Sequence, residues 1–137
     1  MIQNILHRMT LQHQNLADSL INDFRIAGIL LTGGEIFLRK DTMDIIRKFK
    51  ENNISVKMAT NAALLNDRQI DCLAEMLNPY IDGMQISLDG ATHETYKKIR
   101  QTNLFEKVIS NIKKLAERNI TITISCTVNT VNYNEIE

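Results

Sequence analysis

Apolar residues along this chain recur at two periods, helical and strand-like, and the regular exchange between them predicts alternating helices and strands. Leu16, Leu20, Ile21, Phe24 and Ala27 lie at near-helical spacing with Asp18, Asn22 and Asp23 between them, which predicts an amphipathic helix stopped by Gly28. Ile29 to Thr32 follows as a strand. Met43, Ile46 and Phe49 mark the inward stripe of a second helix, capped by the Asp41 side chain and left through Asn52-Asn53. After the strand Ser55 to Ala59, Asn66 and Gln69 form a capping-box pattern for a helix through Ile70, Leu73 and Leu77, which Pro79 ends. Met84 to Leu88 is the third strand. Asn103 and Glu106 repeat the capping-box pattern ahead of Leu104, Val108, Ile112 and Leu115, and Ile120 to Val128 is the fourth strand.

No hairpin signal separates the strands, so they are expected to be parallel with right-handed helical crossovers: an α/β fold of alternating βα units. Alternation also divides the last two strands into unlike faces. Ile120, Ile122, Ile124, Cys126 and Val128 oppose Thr121, Thr123, Ser125, Thr127 and Asn129, as Met84, Ile86 and Leu88 oppose Gln85, Ser87 and Asp89. A closed eight-stranded barrel fills its centre with branched apolar side chains. The polar face therefore predicts an open or partial barrel wrapped around a polar ligand, or a one-sided sheet facing water.

A chain of 137 residues, 44% hydrophobic, has material for one ordinary core, so residues 1–137 read as a single domain. Sixteen basic and sixteen acidic residues cancel, and no Lys/Arg cluster stands out, which argues against nucleic acid as a partner. No run approaches the roughly 20 apolar residues of a membrane span, and Met1 to Asn15 lacks the apolar centre of a secretory signal. Two distant cysteines, Cys72 and Cys126, suit a reducing compartment, and both are expected to be buried thiols in a cytoplasmic protein.

Polar residues gather just past the strand ends, where α/β folds place ligands. Gly33-Gly34-Glu35 follows the first strand, Thr60-Asn61 the second, and Ser87-Leu88-Asp89-Gly90 the third. Read by residue type alone, the glycines make a tight turn with Glu35 as a charge at a helix start, and Asp89 closes an Asx-type turn. Arg100 is a solvated helix-end charge on the same basis. Thr60, Asn61 and Asn129 are as readily structural as ligand-binding. Thr92-His93 resembles a capped helix start and receives no chemical role.

The ordered set Leu31-Thr32-Gly33-Gly34-Glu35, Phe37-Leu38-Arg39-Lys40-Asp41, Ala59-Thr60-Asn61 with Leu64-Leu65, Ile86-Ser87-Leu88-Asp89-Gly90-Ala91, Tyr96, Ile99-Arg100 and Phe105 to Leu115 resembles the radical S-adenosylmethionine (SAM) enzymes, particularly their peptide- and protein-modifying branch. Two positions depart from that family's pattern: Ile36 stands where proline is usual and Ala62 where glycine is common. The resemblance implies a (β/α)6 partial barrel. It implies that Gly33, Gly34 and Glu35 take the ammonium end of S-adenosylmethionine, and that Ser87 bonds its ribose or carboxylate. Arg100 would pair with the carboxylate and Asp89 with the ribose; Thr60, Asn61 and Asn129 complete the implied cofactor set.

Such enzymes hold a [4Fe-4S] cluster on three closely spaced cysteines and release a 5′-deoxyadenosyl radical from the cofactor. This chain has no such triplet, so it is expected to be an inactive central portion of a core domain, with no metal ligands or catalytic residues of its own. The alternatives are a cluster-free relative that serves as a scaffold or binds peptides, and an unrelated βα enzyme using Glu35 and Asp89 as an acid/base pair. Unpaired strands at both sheet edges predict self-association.

Overall fold

The computed structural model describes residues 15–135. It contains a parallel sheet of four strands in the order β1-β2-β3-β4: β1 (Gly28–Leu31), β2 (Ser55–Thr60), β3 (Gly83–Ser87) and β4 (Ile122–Ser125). Helix α1 covers residues 15–22 and leads into β1. Helices α2 (Thr42–Glu51), α3 (Asp67–Met76), α4 (His93–Arg100) and α5 (Phe105–Glu117) fill the crossovers, and short 3-10 turns lie at Ile36–Leu38 and Tyr133–Glu135. The expected α/β organisation, with parallel strands in chain order, is what forms.

The core lies between one face of the sheet and the helices. Val56, Met58, Met84 and Ile86 from the strands meet Ile46 and Phe49 of α2, Ile70 and Leu73 of α3, and Val108 and Leu115 of α5, all buried. These are the stripes that the helical spacing marks, because a helix held against a sheet buries one face only. Among the described residues, nothing packs on the opposite face of the sheet. Parallel register puts Leu30, Lys57 and Gly83 side by side on it, then Ala59, Gln85 and Thr123, then Ser87 and Ser125 nearest the C-terminal strand ends.

Several local expectations fail, each for a packing reason. Gly28 does not stop α1; it opens β1, and the left-handed residue that turns the chain after the helix is Arg25, φ 48°. Asp41 occupies the N-cap of α2 without capping it, since both its carboxylate oxygens take the Arg39 guanidinium, at 3.1 and 2.7 Å. The Asn103/Glu106 box does not form, because α5 starts one residue later, with Leu104 as its N-cap. The Asn66/Gln69 box does form, and Asn53 (φ 57°) supplies the expected turn out of α2. The fourth strand shrinks to Ile122–Ser125, as the residues after it turn back over the end of β3. Cys126 is consequently exposed and Cys72 half-buried, so neither is a core thiol.

Candidate functional site at the C-terminal strand ends

The loop after β1 makes a sharp change of direction at Gly33, whose φ of 141° lies in a region that side chains disfavour. A Cβ built on Gly33 or on Gly34 would meet nothing within 4 Å, so their backbone borders open space. Glu35 then turns inward. Its Oε1 accepts from the Thr60 hydroxyl at 2.6 Å and from the Phe37 N–H at 3.1 Å, and its Oε2 accepts from the Asn61 N–H at 2.8 Å. A carboxylate has about four acceptor positions, so roughly one is left for a ligand.

Thr60 belongs to the covered face with Met58 and Val56. Buried there, it donates to Glu35 and accepts from the Ala62 N–H at 2.9 Å. It braces Glu35 from the covered face of the sheet. Asn61 sits at the strand end with its Oδ1 accepting from the Ala63 N–H at 2.8 Å. Ala62 adopts φ 58°, a conformation where its Cβ costs about 1–2 kcal/mol. What fixes it is Asn111 of α5, fully buried, whose amide donates to the carbonyls of Ala62 at 2.8 Å and Leu65 at 3.0 Å. Sequence reasoning passed over Asn111; its one signal is an amide inside the apolar stripe of a helix.

At the end of β3, Ser87 lies on the open face in register with Ser125, and its hydroxyl has no hydrogen-bond partner among the described residues. Two positions on, Asp89 and Arg100 are brought together rather than presented separately: Arg100 Nε lies 2.6 Å from Asp89 Oδ2, while Asp89 Oδ1 accepts from the Thr127 N–H at 2.8 Å. Asp89 is buried and Arg100 half-exposed, so the outer nitrogens of the guanidinium still reach solvent. Gly90 is required by space: a Cβ there would stand 2.5 Å from the Tyr96 backbone nitrogen.

The segment after β4 locks this corner. Asn132, buried, donates to the carbonyls of Asp89 and Thr127, both at 3.0 Å. Asn129 engages its Oδ1 with the Val131 N–H at 2.8 Å and its amide with Thr127 O at 3.2 Å, so its side chain shapes a turn. Glu135 reaches the start of α4, accepting from the Ala91 N–H at 2.8 Å and from the hydroxyls of Thr95 and Thr92 at 2.5 and 3.3 Å. The Thr95 hydroxyl and the Ala91 N–H hold the Glu135 carboxyl below the usual range. The long-range bonds of Asn132 to Asp89 and of Glu135 to Ala91 carry no local sequence signal, because those partners lie some 40 residues earlier.

The open-space backbone at Gly33-Gly34, the partly filled Glu35, the free Ser87 hydroxyl and the outward Arg100 guanidinium form a polar rim along the C-terminal strand ends. It fits a ligand with an ammonium, a carboxylate and hydroxyls. An iron–sulfur cluster is a different matter. The chain has two cysteines, Cys72 on α3 and Cys126 beyond β4, and no group of three metal-ligating side chains occurs among the described residues. These residues do not fit a cluster.

Comparison with known proteins agrees with this architecture. The radical SAM superfamily profile matches residues 11–137. A probable GTP 3′,8-cyclase of Saccharolobus islandicus is 33% identical over 124 residues, covering 88% of this chain and 39% of the relative. Another, of Methanocaldococcus jannaschii, is 36% identical over 100 residues, covering 72% of this chain and 32% of the relative. The chain thus spans well under half the length of these relatives. Among solved structures, a domain of pyruvate-formate lyase-activating enzyme from Bacteroides vulgatus superposes with a TM-score of 0.61 at 17% identity, covering 74% of this chain and 60% of that one. Streptococcus suis SuiB bound to S-adenosylmethionine gives 0.51 at 16% identity, covering 85% and 35%; these likenesses bear on the fold. These relatives are named as probable GTP 3′,8-cyclases and lend no support to a peptide-modifying branch. With its family profile spanning nearly all the residues, its parallel βα units and its glycine-glycine-glutamate turn at the end of β1, the chain belongs to the radical SAM superfamily.

Proposed function

We propose that this chain is part of a radical SAM enzyme acting on a nucleotide, as the names of its relatives suggest, and that its strand-end rim holds S-adenosylmethionine. The observation that carries this reading is the convergence of Gly33-Gly34, Glu35, Asn61, Ser87 and the Asp89–Arg100 pair on the ends of adjacent strands. Open backbone at Gly33-Gly34 and the remaining acceptor position of Glu35 suit the ammonium of the methionine moiety. The outer guanidinium nitrogens of Arg100, oriented by Asp89, suit its carboxylate. The Ser87 hydroxyl suits a ribose oxygen, and Asn61 offers an amide beside it. Thr60 and Asn111 position the Glu35 turn without touching the ligand. The cofactor supplies hydrogen-atom abstraction when bound beside a reduced cluster, and the cluster ligands are not among this chain's residues.

A peptide substrate is the second reading, favoured by the sequence pattern Ile86-Ser87-Leu88-Asp89-Gly90-Ala91 with Tyr96 and Arg100. Cytoplasmic placement accompanies both readings; among the described residues no helix is long and apolar enough to cross a membrane. Calorimetric titration with S-adenosylmethionine tests the rim. Saturable binding is expected, weakened about tenfold in Ser87→Ala by loss of one hydrogen bond; a folded chain that takes up no cofactor would sink the reading.

The outer edges of β1 and β4 are unpaired among the described residues, and Leu30, Ile124 and Val128 are exposed beside them. We therefore propose that the isolated chain self-associates through these edges. Light scattering coupled to size exclusion should give a mass above that of one chain at micromolar concentration, and a monomer alone would overturn it.

A further inference from the structure

Ala62 and Asn111 each carry a local cost, and the two costs meet at one hydrogen bond. Ala62 holds φ 58°, a left-handed backbone that a Cβ disfavours. Asn111 lies on the inward face of α5 with Val108 and Leu115, all fully buried, where an apolar side chain would pack without loss. Its amide nitrogen bonds the Ala62 and Leu65 carbonyls at 2.8 and 3.0 Å. Its Oδ1 has no hydrogen-bond partner, and among the described residues it is the one buried side-chain nitrogen or oxygen in that condition. Costs of this kind persist where the surroundings impose a geometry, and they gather at sites that need it.

The geometry imposed here is that of the peptide groups leading to Glu35. Ala63 and Leu65 are buried after the turn, so packing fixes the chain downstream of Ala62, and Asn111 fixes the Ala62 carbonyl. A departure of Ala62 from the left-handed region is therefore taken up upstream, by the peptide groups that carry the Asn61 and Ala62 N–H. The Asn61 N–H donates to Glu35 Oε2 at 2.8 Å. The Ala62 N–H donates to Thr60 Oγ1 at 2.9 Å, which fills one lone pair of that hydroxyl and leaves its single hydrogen for Glu35 Oε1, at 2.6 Å. Both carboxylate oxygens thus take their direction from the backbone at residues 60–62.

We propose that Ala62 and Asn111 form one coupled clamp, in which Asn111 enforces the left-handed Ala62 backbone that aims Glu35 and so sets cofactor affinity from inside α5. The inference rests on the reading of the rim as the cofactor site. It adds a dependence between two residues: the asparagine is needed because position 62 is alanine, and a glycine there, free of the Cβ cost, would relieve the need. Asn111 is in this sense a positioning residue. A role confined to the fold would give each substitution its own independent effect.

The test is a double-substitution cycle on the whole chain: the parent, Asn111→Leu, Ala62→Gly and the two combined. Each is titrated calorimetrically with S-adenosylmethionine and followed without ligand by hydrogen exchange at the Asn61 amide. Asn111→Leu should weaken binding about tenfold, the population that a left-handed cost of this size takes from an unsupported alanine, and should speed Asn61 exchange to a similar extent. Ala62→Gly alone should change either quantity by less than about threefold, and in the Asn111→Leu background it should restore most of both. An Asn111→Leu chain that binds as the parent does, or a loss that Ala62→Gly does not repair, would overturn the clamp. Should Asn111→Leu not fold, Asn111→Ala removes the same bonds without added bulk and takes its place in the cycle. A parent that binds no S-adenosylmethionine removes the cofactor role together with the rim reading, while the four Asn61 exchange rates still decide whether the clamp aims Glu35.

Discussion

The two ends of the sheet handle a carboxylate in opposite ways. At the N-terminal strand ends Asp82 is entirely enclosed: its Oδ1 accepts from the Val56 N–H at 2.7 Å, and its Oδ2 accepts from the Asn78 N–H at 2.7 Å and meets Lys50 Nζ at 2.5 Å. At the C-terminal ends Asp89 is just as deeply set, yet the arginine that pairs with it is half-exposed, and Glu35 retains acceptor capacity. Saturated polar groups in a closed setting hold a fold together; incompletely saturated ones beside open space can bind. In βα folds the second condition arises at the C-terminal strand ends, where crossover loops leave room, and the first at the opposite ends. The difference lies in the partners, since both ends use the same side chain.

Removing the enclosed partner should have the largest effect on this comparison. Asp82→Ala leaves Lys50 buried without its anion and two backbone N–H groups without acceptors, which is expected to cost about 3–5 kcal/mol. Chemical denaturation would read this as a large drop in midpoint, and a loss below about 1 kcal/mol would contradict the closed-end account. At the open end, Ser87→Ala should change stability by less than about 0.5 kcal/mol, because a half-exposed hydroxyl without a partner contributes little to the fold. Its effect belongs in cofactor affinity. A denaturation shift comparable to that of Asp82→Ala would place Ser87 in the structural class.

The smallest expected effect concerns the strap after β4. Glu135 is held ionised by the Thr95 hydroxyl and the Ala91 N–H, so its folded pKa lies below its unfolded value. A depressed carboxyl pKa contributes stability that is present above the unfolded value and lost as pH falls through the folded one. Hydrogen exchange at the Ala91 amide, corrected for its intrinsic pH dependence, should therefore lose protection on acidification below the ordinary carboxylate range. Glu135→Gln should lack that step. An Ala91 amide equally protected in both proteins across this range would show that the strap does not depend on Glu135.

Much of this was legible in sequence because it depends on short-range rules. The stripes Ile46/Phe49, Ile70/Leu73 and Val108/Leu115 lie where helical spacing puts them, and the Asn66/Gln69 box forms because both partners stand on one turn. The split of β3 into Met84/Ile86 and Gln85/Ser87 follows from strand alternation alone. Where local chemistry had a rival, it lost. Asp41 was taken from its helix by Arg39, and Asn129 was drawn into a turn by Val131 and Thr127. Thr60 shows the limit most clearly: a polar residue at a strand end is legible as a candidate, but which face it occupies depends on strand phase. That phase put it behind Glu35.

The sequence by itself determined the order of βα units, the separation of an apolar from a polar sheet face, the glycine-glycine-glutamate turn and the absence of a cysteine triplet, because each is encoded in neighbouring residues. Only the tertiary structure decided that Asp89 and Arg100 pair with one another and that Asn111 and Asn132 fasten loops dozens of residues away. Those outcomes depend on which side chains meet across the fold. A hydrogen bond or an ion pair is a property of two positions, and one position in the sequence does not name the other.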